Sequence, residues 1–591
     1  MPEKPHSSNA HRRLWIGAAT GVVLLASIVA LALYLRSSSF EDVVRRKLIA
    51  TLEEATGGRV EMAAFHWDLS RLTFGADGLT IHGLEPAGES PYVHVDRALV
   101  RLRIISFLER QVSLEQVELW APAIHIIVNP DGSTNAPEPK VKPDHPKTPV
   151  QQLFDLAIAR VDVHDGVLLL NQHKLALDFS VNQVLAAMTY DRLAKRYDGS
   201  VRVGKLDAKY QDLRDVAAQA DLQFSLWHNQ AEIKALKLVS EGSSLQIIGK
   251  VTDFESPQVR LTYSSTIDIT QMGAVTRVYQ LRGGTIALDG SGTYSEAAGY
   301  ASTGRIAIRD LDYLNEGIAL RNASLDSNFS LDHNNLSMTR IAARLLGGLL
   351  TGDAEVKNLW PKQLTPIAPA PAEPIGLNGK PVGRNSSKVH GTAAAVKSVS
   401  AYPEQGSARL RVNGLSLSEL ARMASTRSLP LDKLNAVGSV TGSVNLSWRH
   451  VLADAFADLA LDIAAPAQLS NANNQLPVSG HVSGRYGARS DSIELSALNL
   501  TTPHSHLEAT GTLGTTSAAL KLNVNTTSLT EFAPMLTAMG NAPLPVELAG
   551  ALSFNGTLNG RLRTPQVAGH LQATNFTYNY TPALKTPAPQ K

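Results

Sequence analysis

Apolar and polar positions along this chain follow three patterns, and each predicts a different element. The first is an unbroken run. Residues 14–35, LWIGAATGVVLLASIVALALYL, contain no charged residue. At about 1.5 Å of rise per residue, a helix of this length crosses a hydrocarbon core of about 30 Å. A retained transmembrane helix is therefore predicted at 14–35. Lys4, Arg12 and Arg13 precede it against Glu3 alone, which places residues 1–13 in the cytoplasm and the rest of the chain across the membrane. A cleaved signal peptide is the competing reading. It would have a shorter apolar part and end in small residues, whereas this run ends LALYLR.

The second pattern has a helical period. Phe40, Val43, Val44, Leu48, Ile49 and Leu52 recur at three and four, which predicts an amphipathic helix from Phe40. Ser39 is the expected cap, and Gly57 with Gly58 the stop. From Arg59 the period becomes two. Val60, Met62 and Ala64 alternate with polar positions, Leu72 and Phe74 form a short strand, and Val93 and Val95 begin another. Ala98, Val100, Leu102 and Ile104 then alternate with Leu99, Arg101 and Arg103. The run AIHIIV puts Ile124, Ile126 and Val128 on one face and His125 and Ile127 on the other. An antiparallel sheet with one apolar face is predicted.

Two stretches break the pattern. Residues 136–149, APEPKVKPDHPKTP, and residues 361–399, with PIAPAPAEP, read as linkers or inserted loops. Beyond the first, the chain repeats itself. SLSEL at 416–420 returns as SLTEF at 528–532, and VGSVTGSVNLS at 437–447 as AGALSFNGTLN at 549–559, both at an offset of 112. GGTIALDGSGTYS at 283–295 is an earlier, weaker copy. Each copy holds short strands, Gly, Asn or Asp turns and one short helix, such as LSELARMA or LTEFAPML. The expected layout is a module at 37–135, repetitive sheet at 150–360 and 400–580, and a Pro-rich tail at 581–591.

A repetitive sheet must hide its apolar face, and few long amphipathic helices are available to cover it. The expected architecture is mainly β: an N-terminal transmembrane helix, then an elongated antiparallel sheet curled into a gutter with a few short helices. Val100, Leu102, Ile104, Ile124, Ile126 and Val128 are the expected lining near the membrane. Such a lane accepts acyl chains and leaves their headgroups in water.

Composition narrows the function. The chain has no cysteine, so thiolate metal sites and disulfides are excluded. A net charge of +2 gives no reason to expect nucleic acid. His504 and His506 form an H-x-H without accompanying carboxylates or thiols, and His164 with Asp162 and Asp165 reads as a solvated cluster. No G-x-S-x-G, P-loop or H-E-x-x-H occurs. The N-x-S/T triplets at Asn322, Asn499 and Asn575 read as by-products of Asn- and Ser/Thr-rich strands. No enzyme, cofactor or metal is expected.

The order of pieces in residues 14–135 carries a resemblance. An apolar run and an amphipathic helix are followed by GGRV, a strand with Trp67, DGL at 77–79, and Pro91 before the alternating strand. ISFLERQV at 105–112, VELWAPAI at 117–124 and DGSTN at 131–135 complete the series. This resembles the N-terminal module of the AsmA-like family, the group that includes AsmA and TamB. Asn135 is followed here by Ala-Pro, where family members often carry an aromatic. The resemblance implies an inner-membrane anchor with the bulk of the chain in the periplasm. It also implies phospholipid movement toward the outer membrane, a contribution to outer-membrane assembly, and an outer-membrane or β-barrel assembly component as partner. The alternative is a non-enzymatic scaffold that binds β-barrel precursors by strand addition at a free sheet edge. A carbohydrate binder would show clustered aromatic platforms, and 6% aromatic residues argue against it.

Overall fold

The computed structural model describes residues 26–580, without 103–113, 140–148, 360–403, 468–474, 539–545 and some shorter stretches. The expected cytoplasmic segment 1–13, most of the apolar run 14–35, Ile104, the stretch 361–399 and the tail 581–591 lie outside the described residues. No helix among the described residues is long and apolar enough to cross a membrane. The chain is mainly β and divides into two units, residues 1–279 with 293–296 and residues 280–292 with 297–591.

In the first unit, helix α1 spans Ser38–Thr56. Its cap is Ser37 rather than Ser39. Ser37 has extended backbone, and its hydroxyl accepts from the Phe40 N–H at 3.4 Å, so the helix begins before the first apolar residue. Gly57 ends it with φ at 79°, and its N–H returns to the Glu53 carbonyl at 2.9 Å. Strands β1 (Arg59–Glu61) and β2 (Ala64–Asp68) follow. Both pair with β3 (Thr73–His82), which Gly78, at a φ of 62°, bends between the two pairings. Leu72, expected in a strand, sits in the preceding turn with a φ of 49°. The Phe40 and Trp67 rings lie 4.8 Å apart, and Arg45 donates to the Met62 and Ala63 carbonyls at 3.2 Å each. The helix thus covers the two shortest strands of this unit's sheet.

β4 (Val93–Leu102) pairs with β3, then with β5 (Leu114–Trp120) and the first residues of β6 (Ala123–Val128). Helix α2 (Pro149–Asp155) precedes β7 (Arg160–Gln172). Here the expectation of a wholly antiparallel sheet fails, because β7 runs parallel to both β5 and β6. A parallel neighbour needs a long crossover, and the chain between β6 and β7 supplies one. β8 (Leu177–Asp191), β9 (Arg196–Tyr210), β10 (Val216–Trp227), β11 (Gln230–Ser240), β12 (Ser243–Thr252) and β13 (Gln258–Asp268) then meander, each antiparallel to the one before. Helix α3 (Ile269–Thr276), capped by the Asp268 carboxylate, closes the run.

The second unit meanders in the same way. β14 (Leu281–Ser295) and β15 (Gly299–Leu314) precede β16 (Ala319–Leu331), β17 (Leu336–Leu345), β18 (Gly348–Lys357) and β19 (Gln405–Ser416). β19 leads into helix α4 (Leu417–Ala424) and returns, past the two-residue β20 (Ala436–Val437), as β21 (Ser439–Arg449). β22 (Phe456–Ala464), the short β23 (Leu476–Pro477), β24 (Ser479–Gly487), β25 (Ser492–Thr501), β26 (Ser505–Gly514) and β27 (Ser517–Thr526) follow. After β27 a 3-10 turn at Leu529–Phe532 and helix α5 (Ala533–Ala538) occupy the place that α4 holds after β19. β28 (Val546–Arg561) and β29 (Gln566–Tyr580) complete the unit. The sequence copies at 416 and 528 therefore have the same local form: strand, serine, helical turn, strand.

Candidate apolar binding face

Strands of up to 16 residues cannot keep one face apolar by strict alternation unless the sequence is equally regular, and here it is not. Single-residue insertions restore the order. In β8, Phe179 and Val181 are followed by Val184, Ala186 and Met188, and the change of parity falls at Gln183, whose φ is 56°. In β7 it falls at Asp165, with a φ of 54°. Val161 and Val163 before that bulge, and Leu168 and Leu170 beyond it, therefore meet the same β8 series: Met188, Ala186, Val181 and Phe179. β9 follows β8 across this point without a change of register, and the shift reappears between β9 and β10, at Ala218 and Ala220. Aligned bulges add local twist along one line of the sheet. In the second unit Asp310, Asn322 and Arg340 do the same in β15, β16 and β17, with φ between 51° and 53°.

The resulting face is apolar but thinly covered. Val181, Val203 and Ala220 form one buried nucleus, with Leu168, Phe179, Val184, Val201, Leu206 and Leu238 packed around it and only partly buried. Among the described residues the second unit has two such nuclei, centred on Val412, Leu415 and Val440 and on Leu495, Ala518 and Leu520. Leu417 and Leu420 of α4 pack on the first of these. Elsewhere the inward positions of β11 to β13, such as Leu236, Ile247 and Leu261, stay half-buried while their neighbours are exposed. Half-burial forgoes part of the roughly 1.5–3 kcal/mol that a fully buried Leu or Ile contributes. Glycines allow close strand approach on this face. A Cβ on Gly442, at a φ of 139°, would meet the Ala460 carbonyl oxygen at 2.1 Å, a backbone conformation and a gap open only to glycine.

Val100 pairs with Phe74 and Val117, and Leu102 with Leu114. Ile124, Ile126 and Val128 pair with Leu168, Leu170 and Gln172 of β7. Through β7, Ile124 and Ile126 join the lane that continues into the Val181 nucleus, and Val117 lies between Val100 and Val161 in the same row. Ile124 is 39% exposed, and Val100, Leu102, Ile126 and Val128 are half-buried. The fully covered side of β6 carries His125 and Ile127 instead.

That covered side is organised by Asn135, which is 2% exposed. Its side chain donates to the His125 carbonyl at 2.8 Å and accepts from the Ile127 N–H at 2.9 Å, while its own carbonyl accepts from Leu84 at 2.7 Å. The sequence shows DGSTN, but nothing in it marks Asn135 as a buried clamp rather than a turn residue.

Charged residues lie mostly on the other face and at the rims. Asp198 takes Lys234 at 2.7 Å, Arg196 at 3.0 Å and the hydroxyl of the fully buried Ser225. Lys234 foremost, then Ser225, holds its carboxyl down at about 2. Beside it Tyr197 is fully buried against Phe154 and Tyr190, and burial pushes its phenol up to about 12. Asp162, expected to be solvated, is buried and paired with Arg160 at 2.7 Å, which holds its carboxyl below the usual range. His506 binds Thr501 and Glu508, and no group of three or more metal-ligating side chains occurs among the described residues. Asn322 and Asn575 occupy bulges, both with a φ of 51°, so these triplets mark backbone geometry.

Comparison with known proteins finds no match to any family model, curated protein or solved structure.

Proposed function

We propose that the chain is a non-enzymatic phospholipid carrier, anchored in the inner membrane by residues 14–35, with its bulk in the periplasm. Each unit's sheet acts as a gutter, and acyl chains lie along its apolar face on the way to the outer membrane, contributing to outer-membrane assembly. One observation carries this reading. Across consecutive strands the apolar face is continuous yet only half-buried, with few helices laid over it among the described residues. An acyl chain gains about 0.8 kcal/mol for each methylene it buries there. The resemblance of residues 14–135 to the AsmA-like module points the same way. A scaffold for β-barrel proteins is the second reading, favoured by the outer edge of β29, which has no strand partner among the described residues and suits an incoming strand.

The test uses a photo-crosslinker at Ile126, in the lane, and at Arg202, an exposed position paired with Asp221. Lipid adducts are expected at Ile126 and not at Arg202. Ile126→Asp should leave a folded protein that has lost lipid, because an unpaired charge costs several kcal/mol to desolvate. A folded Ile126→Asp protein with full lipid occupancy would overturn the assignment.

A further inference from the structure

β29 runs from Gln566 to Tyr580, QVAGHLQATNFTYNY, and among the described residues pairs with β28 alone. Its other edge, 15 residues long, has no strand partner among the described residues. Edges of this kind are usually blunted by Lys, Pro or brevity. β29 has no proline and no Lys, Arg, Asp or Glu. Val567, Leu571, Phe576 and Tyr578 are 57%, 64%, 50% and 57% exposed.

The strand's internal symmetry identifies its occupant. Val567, Gly569, Leu571 and Ala573 share the face of Leu558, Gly556, Phe554 and Leu552 on β28. The extra residue at Asn575 returns Phe576 and Tyr578 to that same face. Laid antiparallel on a second β29 about a two-fold axis at Gln572, Leu571 meets Ala573. Beyond the matching bulges Gly569 meets Phe576 and Val567 meets Tyr578. Each contact then occurs twice, as an isologous interface requires. An aromatic ring over a cross-strand glycine covers backbone that glycine leaves bare. With no charge on either strand, the self-pairing meets no repulsion.

We propose that β29 is a homodimerisation edge, pairing antiparallel with β29 of a second copy and joining the apolar faces of the two second units across the axis. The absence of cysteine makes the test direct. The full chain is purified in detergent with Gln572→Cys, the residue on the axis, and treated with an oxidant or a short thiol-to-thiol crosslinker. A covalent dimer is expected from Gln572→Cys. None is expected from Asn555→Cys on β28, which lies one strand in from the edge. Light scattering should give twice the chain mass, and Phe576→Ala should weaken the dimer by roughly tenfold or more. Leu571→Lys should give a folded monomer. A monomeric parent chain, or Gln572→Cys that stays uncrosslinked, would overturn the proposal and leave the edge to a foreign strand. Circular dichroism of each variant separates lost pairing from lost fold.

Discussion

The strands that open the first unit and the strand that closes the second solve the same edge problem in opposite ways. β1 and β2 are 3 and 5 residues long, and α1 lies over them, with Arg45 on the Met62 and Ala63 carbonyls. Residues 135–138 back this end. A Cβ on Gly58 would meet the His82 carbonyl oxygen at 2.2 Å, and one on Gly83 the Asn135 carbonyl oxygen at 2.0 Å. β29 is 15 residues long, uncharged and exposed. Short strands under a helix cannot template further pairing, whereas a long bare strand can. The first arrangement reads as a terminus and the second as a joint.

The largest effect should come from removing the clamp at the guarded end. Asn135→Leu deletes one donor and one acceptor from a site 2% exposed, leaving the Ile127 N–H and the His125 carbonyl without their partner. Each buried unsatisfied group costs about 1–3 kcal/mol, so a local loss of about 3 kcal/mol is expected. Amide exchange at Ile127 and Leu84 should accelerate by roughly a hundredfold. Unchanged exchange would mean that the first unit's end does not depend on this residue.

A smaller effect is expected where the helix meets the strands. Arg45→Met keeps the aliphatic stem but removes the donors to Met62 and Ala63, at about 1 kcal/mol. Proteolysis should then cut between residues 58 and 72 more readily, while β28 and β29 keep their exchange rates. If β29 responds equally, the two edges are coupled and the contrast between them fails.

How far the sequence spoke for itself differs between these regions. The helical period, the Gly57 stop and the two-residue alternation at Val60 and Met62, from Ala98 to Leu102 and from Ile124 to Val128 were legible, because each depends on neighbouring residues only. After Met62 the buried position falls on Phe65 instead of Ala64. So were the copies at 416 and 528, which share a serine before the helical turn. The bulges were not, because a single inserted Asp165 or Gln183 looks like an interruption until both flanking strands are known. The parallel partnership of β7 with β5 and β6 was hidden for the same reason. Asn135 was visible as a letter but not as a clamp, since its partners at 125, 127 and 84 come together only in the folded chain. Of the candidate lining, the alternation of Ile124, Ile126 and Val128 was readable, but their continuity with Leu168, Leu170 and the Val181 nucleus was not.

The smallest effect is set by pH and sharpens the same contrast, because β29 carries no carboxylate and the strands of the first unit do. Asp198 of β9 is held by Lys234 of β11, by Ser225 of β10 and by Arg196. Its folded carboxyl titrates at about 2, against 3.8 for the free group. A depressed carboxylate contributes stability that is fully present above the unfolded value and is lost as pH falls through the folded one. The window is therefore between about 4 and 2, and the loss runs toward acid. The Asp198 side chain is 36% exposed, so solvent screening keeps its contribution below about 1 kcal/mol. Amide exchange in β9, β10 and β11, corrected for the intrinsic rate, should rise several-fold across this window, and Asp198→Asn should flatten the rise. β28 and β29 should show no such step. An equal acid step in β29 would mean that its stability is borrowed from distant carboxylates, and the joint would then be no more independent than the guarded end.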